Sequence, residues 1–104
     1  MDIDPDNPLS VEIQQEMAAT YFAACKKMVD SLEALEAFDR DSPISQLDSQ
    51  QIARRADLLE EAAERVYFVV IQREAINLSG YEEFFKDYKV PNEVRVRMSA
   101  KRQK

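Results

Sequence analysis

The chain has 104 residues, of which 45% are apolar and 33% charged, with a formal net charge of −6; it is long enough for one core, too short for two, and too apolar for a disordered segment. It has no histidine, one glycine (Gly80) and one cysteine (Cys25). That inventory excludes a histidine base, a glycine-rich phosphate loop, an intrachain disulfide and a cysteine zinc cage, so neither catalysis nor a metal or cofactor is expected.

The charge is uneven. Residues 1–63 hold 14 acidic and 5 basic side chains, and residues 64–104 hold 6 and 9. A net acidic body argues against nucleic-acid binding over the whole surface. The acidic start Met1-Asp2-Ile3-Asp4 lacks the basic-then-apolar order of a signal peptide, and the longest apolar run, Val66 to Ile71, falls far short of a membrane span. Cytoplasmic residence is the expectation.

Residues 1–7 read as a flexible leader, rich in acids and proline. Asn7-Pro8 is a helix start, with Ser10 a second cap. Ile13, Met17, Tyr21, Ala24, Met28, Leu32, Leu35 and Phe38 then recur at a mean spacing of about 3.6 residues, which predicts a helix over residues 8–39, roughly 48 Å long. Turn formers and Pro43 interrupt the pattern, so residues 40–48 are a predicted loop ending on an Asp48 or Ser49 cap.

A second stripe, Ile52, Ala56, Leu59, Ala63, Val66 and Val70, widened by Leu58, Ala62, Val69 and Ile76, predicts a helix over 49–79. Ser79-Gly80 would end it, with glycine taking the left-handed conformation. The β-branched and aromatic run at 66–71 favours strand locally. It lies, however, inside about 30 periodic residues without breakers, and being apolar all round it needs cover on more than one side. Tyr81, Phe84, Phe85 and Tyr88 share one face of a short helix, and Pro91, Val94 and Met98 restart another. The two occupy 81–98, and 99–104 is a basic tail. The predicted fold is all-α: a long antiparallel helical hairpin with one or two short C-terminal helices on it, completing a bundle by dimerisation.

Arg73 continues the apolar stripe of the second helix, where a charge needs a partner. A turn centred near Ile44 sets it opposite Gln15 and makes Glu12 and Glu16 the candidate ion-pair partners. Two roles remain open for it: a structural ion pair fixing register, or an anchor for a ligand or partner. Cys25 precedes Lys26-Lys27, which could lower a thiol pKa, but it also fits a small buried hydrophobe. Tyr67, Tyr81, Phe84 and Tyr88 fit either an aromatic core or the lining of a groove. Arg95, Arg97, Lys101, Arg102 and Lys104 read as a solvated basic end or a contact to the acidic first helix of another subunit.

Three stretches, Ala34-Leu35-Glu36-Ala37-Phe38-Asp39, Val69-Val70-Ile71-Gln72-Arg73-Glu74-Ala75 and the segment from Asp87 to Met98, together resemble a small all-helical bacterial family of unknown function. The resemblance implies a helical fold and a bacterial origin and carries no activity across. It also marks Gln72, Arg73 and Glu74 as candidate binding residues.

The functional expectation is a non-enzymatic protein-interaction module, a regulatory, adaptor or chaperone-like factor. Its expected partners are a second copy (a homodimer) and a heterologous protein, with no membrane; nucleic-acid binding by the basic tail is a third and minor reading. The competing expectation is a small-molecule binder with a pocket near Tyr67, Arg73 and the 81–88 aromatics.

Overall fold

A computed structural model describes residues 8–102 of the chain. The predicted leader and the last two residues of the basic tail lie outside them. Among the described residues there are four α-helices and no strand: α1 (Pro8–Asp41), α2 (Ser49–Ala75), α3 (Tyr81–Asp87) and α4 (Asn92–Arg102), with a 3-10 turn at Ile44–Gln46 between the first two. No described helix is long and apolar enough to cross a membrane.

α2 starts where its sequence dictates. The Asp48 carboxylate accepts from the Gln51 backbone N–H, and the Gln51 side chain accepts from the Asp48 N–H, a reciprocal capping box. Its end differs from the sequence expectation. The helix stops at Ala75, and Asn77, not Gly80, supplies the left-handed residue (φ 64°), with the Leu78 N–H reaching back to the Arg73 carbonyl. Asparagine tolerates that conformation because its short polar side chain bonds locally. Gly80 is also left-handed (φ 82°), but it serves as the N-cap of α3.

Two cross-helix contacts fix how α1 and α2 run: Asp39 meets Arg55, and Tyr21 meets Arg73. The helices are therefore antiparallel, and both contacts are symmetric about Leu47 rather than Ile44. The pivot lies later because α1 persists to Asp41 and the 3-10 turn with extended Leu47 occupies the rest of the connection. Glu12 and Glu16 consequently lie beyond the end of α2, and α1 overhangs its partner by about three turns. At the other end Ile52 has passed the end of α1 and is 58% exposed, although periodicity puts it on the core stripe.

The core forms where the stripes face one another: Met28 and Leu35 from α1, Ala62, Val66, Val69 and Val70 from α2, Phe84 and Phe85 from α3, and Val90, Val94 and Met98 from the last segment, all buried. α4 docks on α2 and runs parallel to it, since Arg55–Glu93, Glu60–Arg97 and Glu64–Lys101 advance along both helices together. The basic end is thus a helix through Arg102 rather than a solvated tail from residue 99. Arg97 and Lys101 answer Glu60, Lys101 also reaches Glu64, and Arg95 pairs with Glu82 while lying over the Phe85 ring at 4.4 Å. The charge asymmetry of the sequence is neutralised largely within the chain.

Candidate functional site

Arg73 gathers residues from three helices. Its Nη1 donates to the Tyr21 hydroxyl at 3.0 Å and its Nη2 to the Ser79 carbonyl at 2.6 Å, and the guanidinium carbon sits 4.8 Å from the centroid of Phe84. Phe84 in turn packs against Phe85 and Tyr88, with ring centroids 5.4 and 5.2 Å away. Nε is buried with no hydrogen-bond partner. The partners expected at Glu12 and Glu16 are not its partners; the register displaces both past the end of α2, and a phenol and a carbonyl take their place.

Cys25 lies one helical turn after Tyr21 and is buried. Burial raises the Tyr21 phenol above its ordinary value, against the lowering effect of Arg73, and the nearby Cys25 thiol pushes the same way as burial. Tyr88 is raised too, chiefly by burial and then by Cys25. The cluster therefore joins Tyr21 and Cys25 from α1, Arg73 from α2, Phe84 from α3 and Tyr88 at the end of α3. Its phenols stay neutral at ordinary pH. Two donor nitrogens of Arg73 are used to hold α1 and the α2–α3 turn together. Its chemistry is that of a staple.

Of the residues singled out by sequence, Arg73, Phe84 and Tyr88 come together. Tyr67 does not join them: it is half-buried against the core, about a third of a turn round α2 from Arg73. Gln72 and Glu74 flank Arg73 on the helix, the first half-buried and the second exposed, and Tyr81 packs partly buried against the core. Tyr21 was visible only as a stripe residue; its role depends on the register.

A second feature lies beside Tyr88. Between α1 and the α3–α4 connection an open groove of about 600 Å³ has an apolar floor of Val29, Leu32, Leu35, Tyr88 and Pro91. Its lips carry Glu33, Glu36 and Asp39 from α1, with Asp87 and Lys89 opposite. The far lip exists because α3 ends in a left-handed Lys89 (φ 53°): the Lys89 N–H bonds the Lys86 carbonyl and the Val90 N–H the Phe85 carbonyl, turning the chain sharply away. Among the described residues no group of three or more His, Cys, Asp or Glu could hold a metal ion. Compared with known proteins, the chain matches no family model, no curated protein and no solved structure, so the site rests on its geometry.

Proposed function

We propose that this chain is a non-enzymatic protein-interaction module, a cytoplasmic adaptor, regulatory or chaperone-like factor that works as a homodimer and engages a further protein. One observation carries the reading: several large apolar side chains of α1, of α2 and of the turn after α2 stand exposed. Leu9 and Phe22 on α1 are 61% and 69% exposed, and Phe68 and Leu78 on the opposing side are 46% and 42% exposed. Val11 and Ile71 are exposed too, at 39% each. The last described ion pair from α4 to α2 is at Glu64, four residues short of Phe68. Single exposed apolar residues are ordinary, but large ones this exposed, Phe22 above all, are surface that a partner can cover.

The competing reading, a small-molecule pocket between Tyr67, Arg73 and the 81–88 aromatics, draws less support. Two Arg73 nitrogens are occupied, its flat face is covered by Phe84, and the open groove lies on the other side of Tyr88. The resemblance to a bacterial helical family adds no activity to either reading.

Light scattering on a size-exclusion column tests the proposal. The expected solution mass is about twice the 12.0 kDa of one chain. Phe22→Glu with Phe68→Glu should return it to the monomer value with the helical circular dichroism intact. A wild-type monomer across the micromolar range would defeat the homodimer.

A further inference from the structure

We propose that the groove between α1 and the α3–α4 connection is the docking site for a basic amphipathic helix of a partner protein. The inference rests on the reading of the chain as an interaction module and names the surface and the chemistry of what it takes.

Many carboxylates elsewhere are matched: Glu60 by Arg97 and Lys101, Glu61 by Arg65, Glu82 by Arg95, Asp30 by Lys26, and Asp39 with Glu93 by Arg55; among the described residues Glu12, Glu16, Asp57 and Glu83 are not, but they are spread over α1, α2 and α3. Glu33, Glu36 and Asp87 have no ion pair among the described residues, and all three stand on the lips of one concavity. Lys89 is the one cation lining it, leaving the lips net negative. Beneath them the floor is apolar, with Val29 and Leu32 only half-buried and Tyr88 36% exposed. A surface that offers apolar contact at its centre and uncompensated negative charge at its edges is complementary to a segment with an apolar stripe flanked by lysine or arginine.

The shape selects a helix. The α1 wall from Val29 to Asp39 is about 15 Å long, close to three turns, and the described residues contain no strand edge to pair with an extended peptide. Glu33 and Glu36 are one turn apart on α1 and meet cations spaced three or four residues apart on an opposing helix. The sign of the charge rejects a nucleic acid. A second copy of this chain is a poor occupant, because the basic helix α4 already spends Arg95, Arg97 and Lys101 on carboxylates of its own chain.

The test uses the full chain and a fluorescein-labelled synthetic helix of alternating leucine and lysine turns, with a leucine–glutamate helix of the same length as comparison. Anisotropy is measured on the wild type and on E33Q/E36Q/D87N. A second triple variant, E12Q/E16Q/D57N, carries the same charge change away from the groove. Val29→Ser alters the floor without touching charge. Circular dichroism confirms that each folds. The expected result is binding of the lysine helix but not the glutamate helix. Binding should weaken about tenfold in the groove variant, several-fold in Val29→Ser and less than about twofold in the distant variant. Equal weakening by the two triple variants, indifference to Val29→Ser, or no binding by the wild type overturns the proposal. The solution mass of the same samples separates the two readings. A dimer that ignores the lysine helix defeats the groove alone, and a monomer that binds it in the expected pattern defeats the homodimer alone.

Discussion

Replacing Arg55 by alanine removes a side chain that ion-pairs with two other helices at once. From α2 it donates Nε and Nη2 to Asp39 of α1 at 2.8 and 3.0 Å, and Nη1 and Nη2 to Glu93 of α4 at 2.8 and 3.0 Å. Both carboxylates hold the guanidinium pKa above its ordinary value, and Arg55 holds that of Glu93 below the usual carboxylate range. The arginine is only 16% exposed, whereas Asp39 is 34% and Glu93 52% exposed. Once unpaired, both carboxylates recover much of their hydration, so the loss stays below the roughly 3–5 kcal/mol of a fully buried broken pair. Charge-assisted, bidentate geometry on a mostly buried cation puts it above the roughly 1 kcal/mol ceiling of an exposed pair. About 2 kcal/mol follows, or a fall of roughly 8–16 °C in Tm for a domain of this size. Urea denaturation of R55A, D39N, E93Q and the two double variants measures it. The Arg55–Asp39 coupling should exceed the Arg55–Glu93 coupling, because the first pair is better shielded from water. A loss under about 0.5 kcal/mol, or the reverse order of couplings, would refute the reasoning.

Four further outcomes follow from the packing. Tyr21→Phe and Arg73→Met should be non-additive by about 1 kcal/mol in denaturant, while Glu16→Gln and Arg73→Met should add within about 0.5 kcal/mol, since Tyr21 and not Glu16 holds the guanidinium. Met28→Ala, at a fully buried site, should cost about 2–5 kcal/mol, against almost nothing for Leu9→Ala at 61% exposure. Glu60 and Glu93 are held below the ordinary carboxylate range by Lys101 with Arg97 and by Arg55. The α4 contact is therefore at full strength above the ordinary glutamate value of about 4.5 and is lost progressively as the pH falls below it through their lowered values, an acid limb that E60Q should flatten in a pH series of melting curves. Lys89→Gly should raise stability by about 0.5 kcal/mol by relieving a left-handed lysine, and Asn77→Gly by less, because asparagine already tolerates that geometry.

The helices and most of the core were legible because periodicity reports which residues share a face, and it reports this without knowing what the face meets. Ala24, Met28 and Leu35, and Leu59, Ala63, Val66 and Val70, lie buried on the stripes read from spacing alone. Asp48 was legible as a cap because its chemistry is local. Register was not. It depends on how many residues the connection consumes, and the 3-10 turn at Ile44–Gln46 with extended Leu47 moved the pivot by three positions. That shift sent Arg73 to Tyr21, left Ile52 exposed and stranded Glu12 and Glu16. Helix ends were misjudged for a related reason: glycine advertises a left-handed turn, but Asn77 and Lys89 adopted one because the hydrogen bonds from Leu78 and Val90 back into their helices stabilise it. The groove could not be read from sequence at all, since its far lip is a product of the turn at Lys89.

The same shift explains why charge on this molecule is informative only after folding. In sequence the acids crowd the first two helices and the bases the last, which reads as a dipole seeking another subunit. Docked in parallel, α4 delivers Arg97 and Lys101 to the acids of α2, and α2 in turn lends Arg55 to α1 and α4. Among the described residues Arg95, Arg97 and Lys101 of α4 are paired with carboxylates of α2 and α3, and on this stretch of α1 only Asp39 is reached by an arginine, Arg55 of α2. Glu33 and Glu36 are left on the side where α3 returns, and α3 brings another acid, Asp87, to the opposite lip. Negative charge therefore accumulates on lips where Asp39 alone is answered by an arginine, above an apolar floor of Val29, Leu32, Leu35, Tyr88 and Pro91.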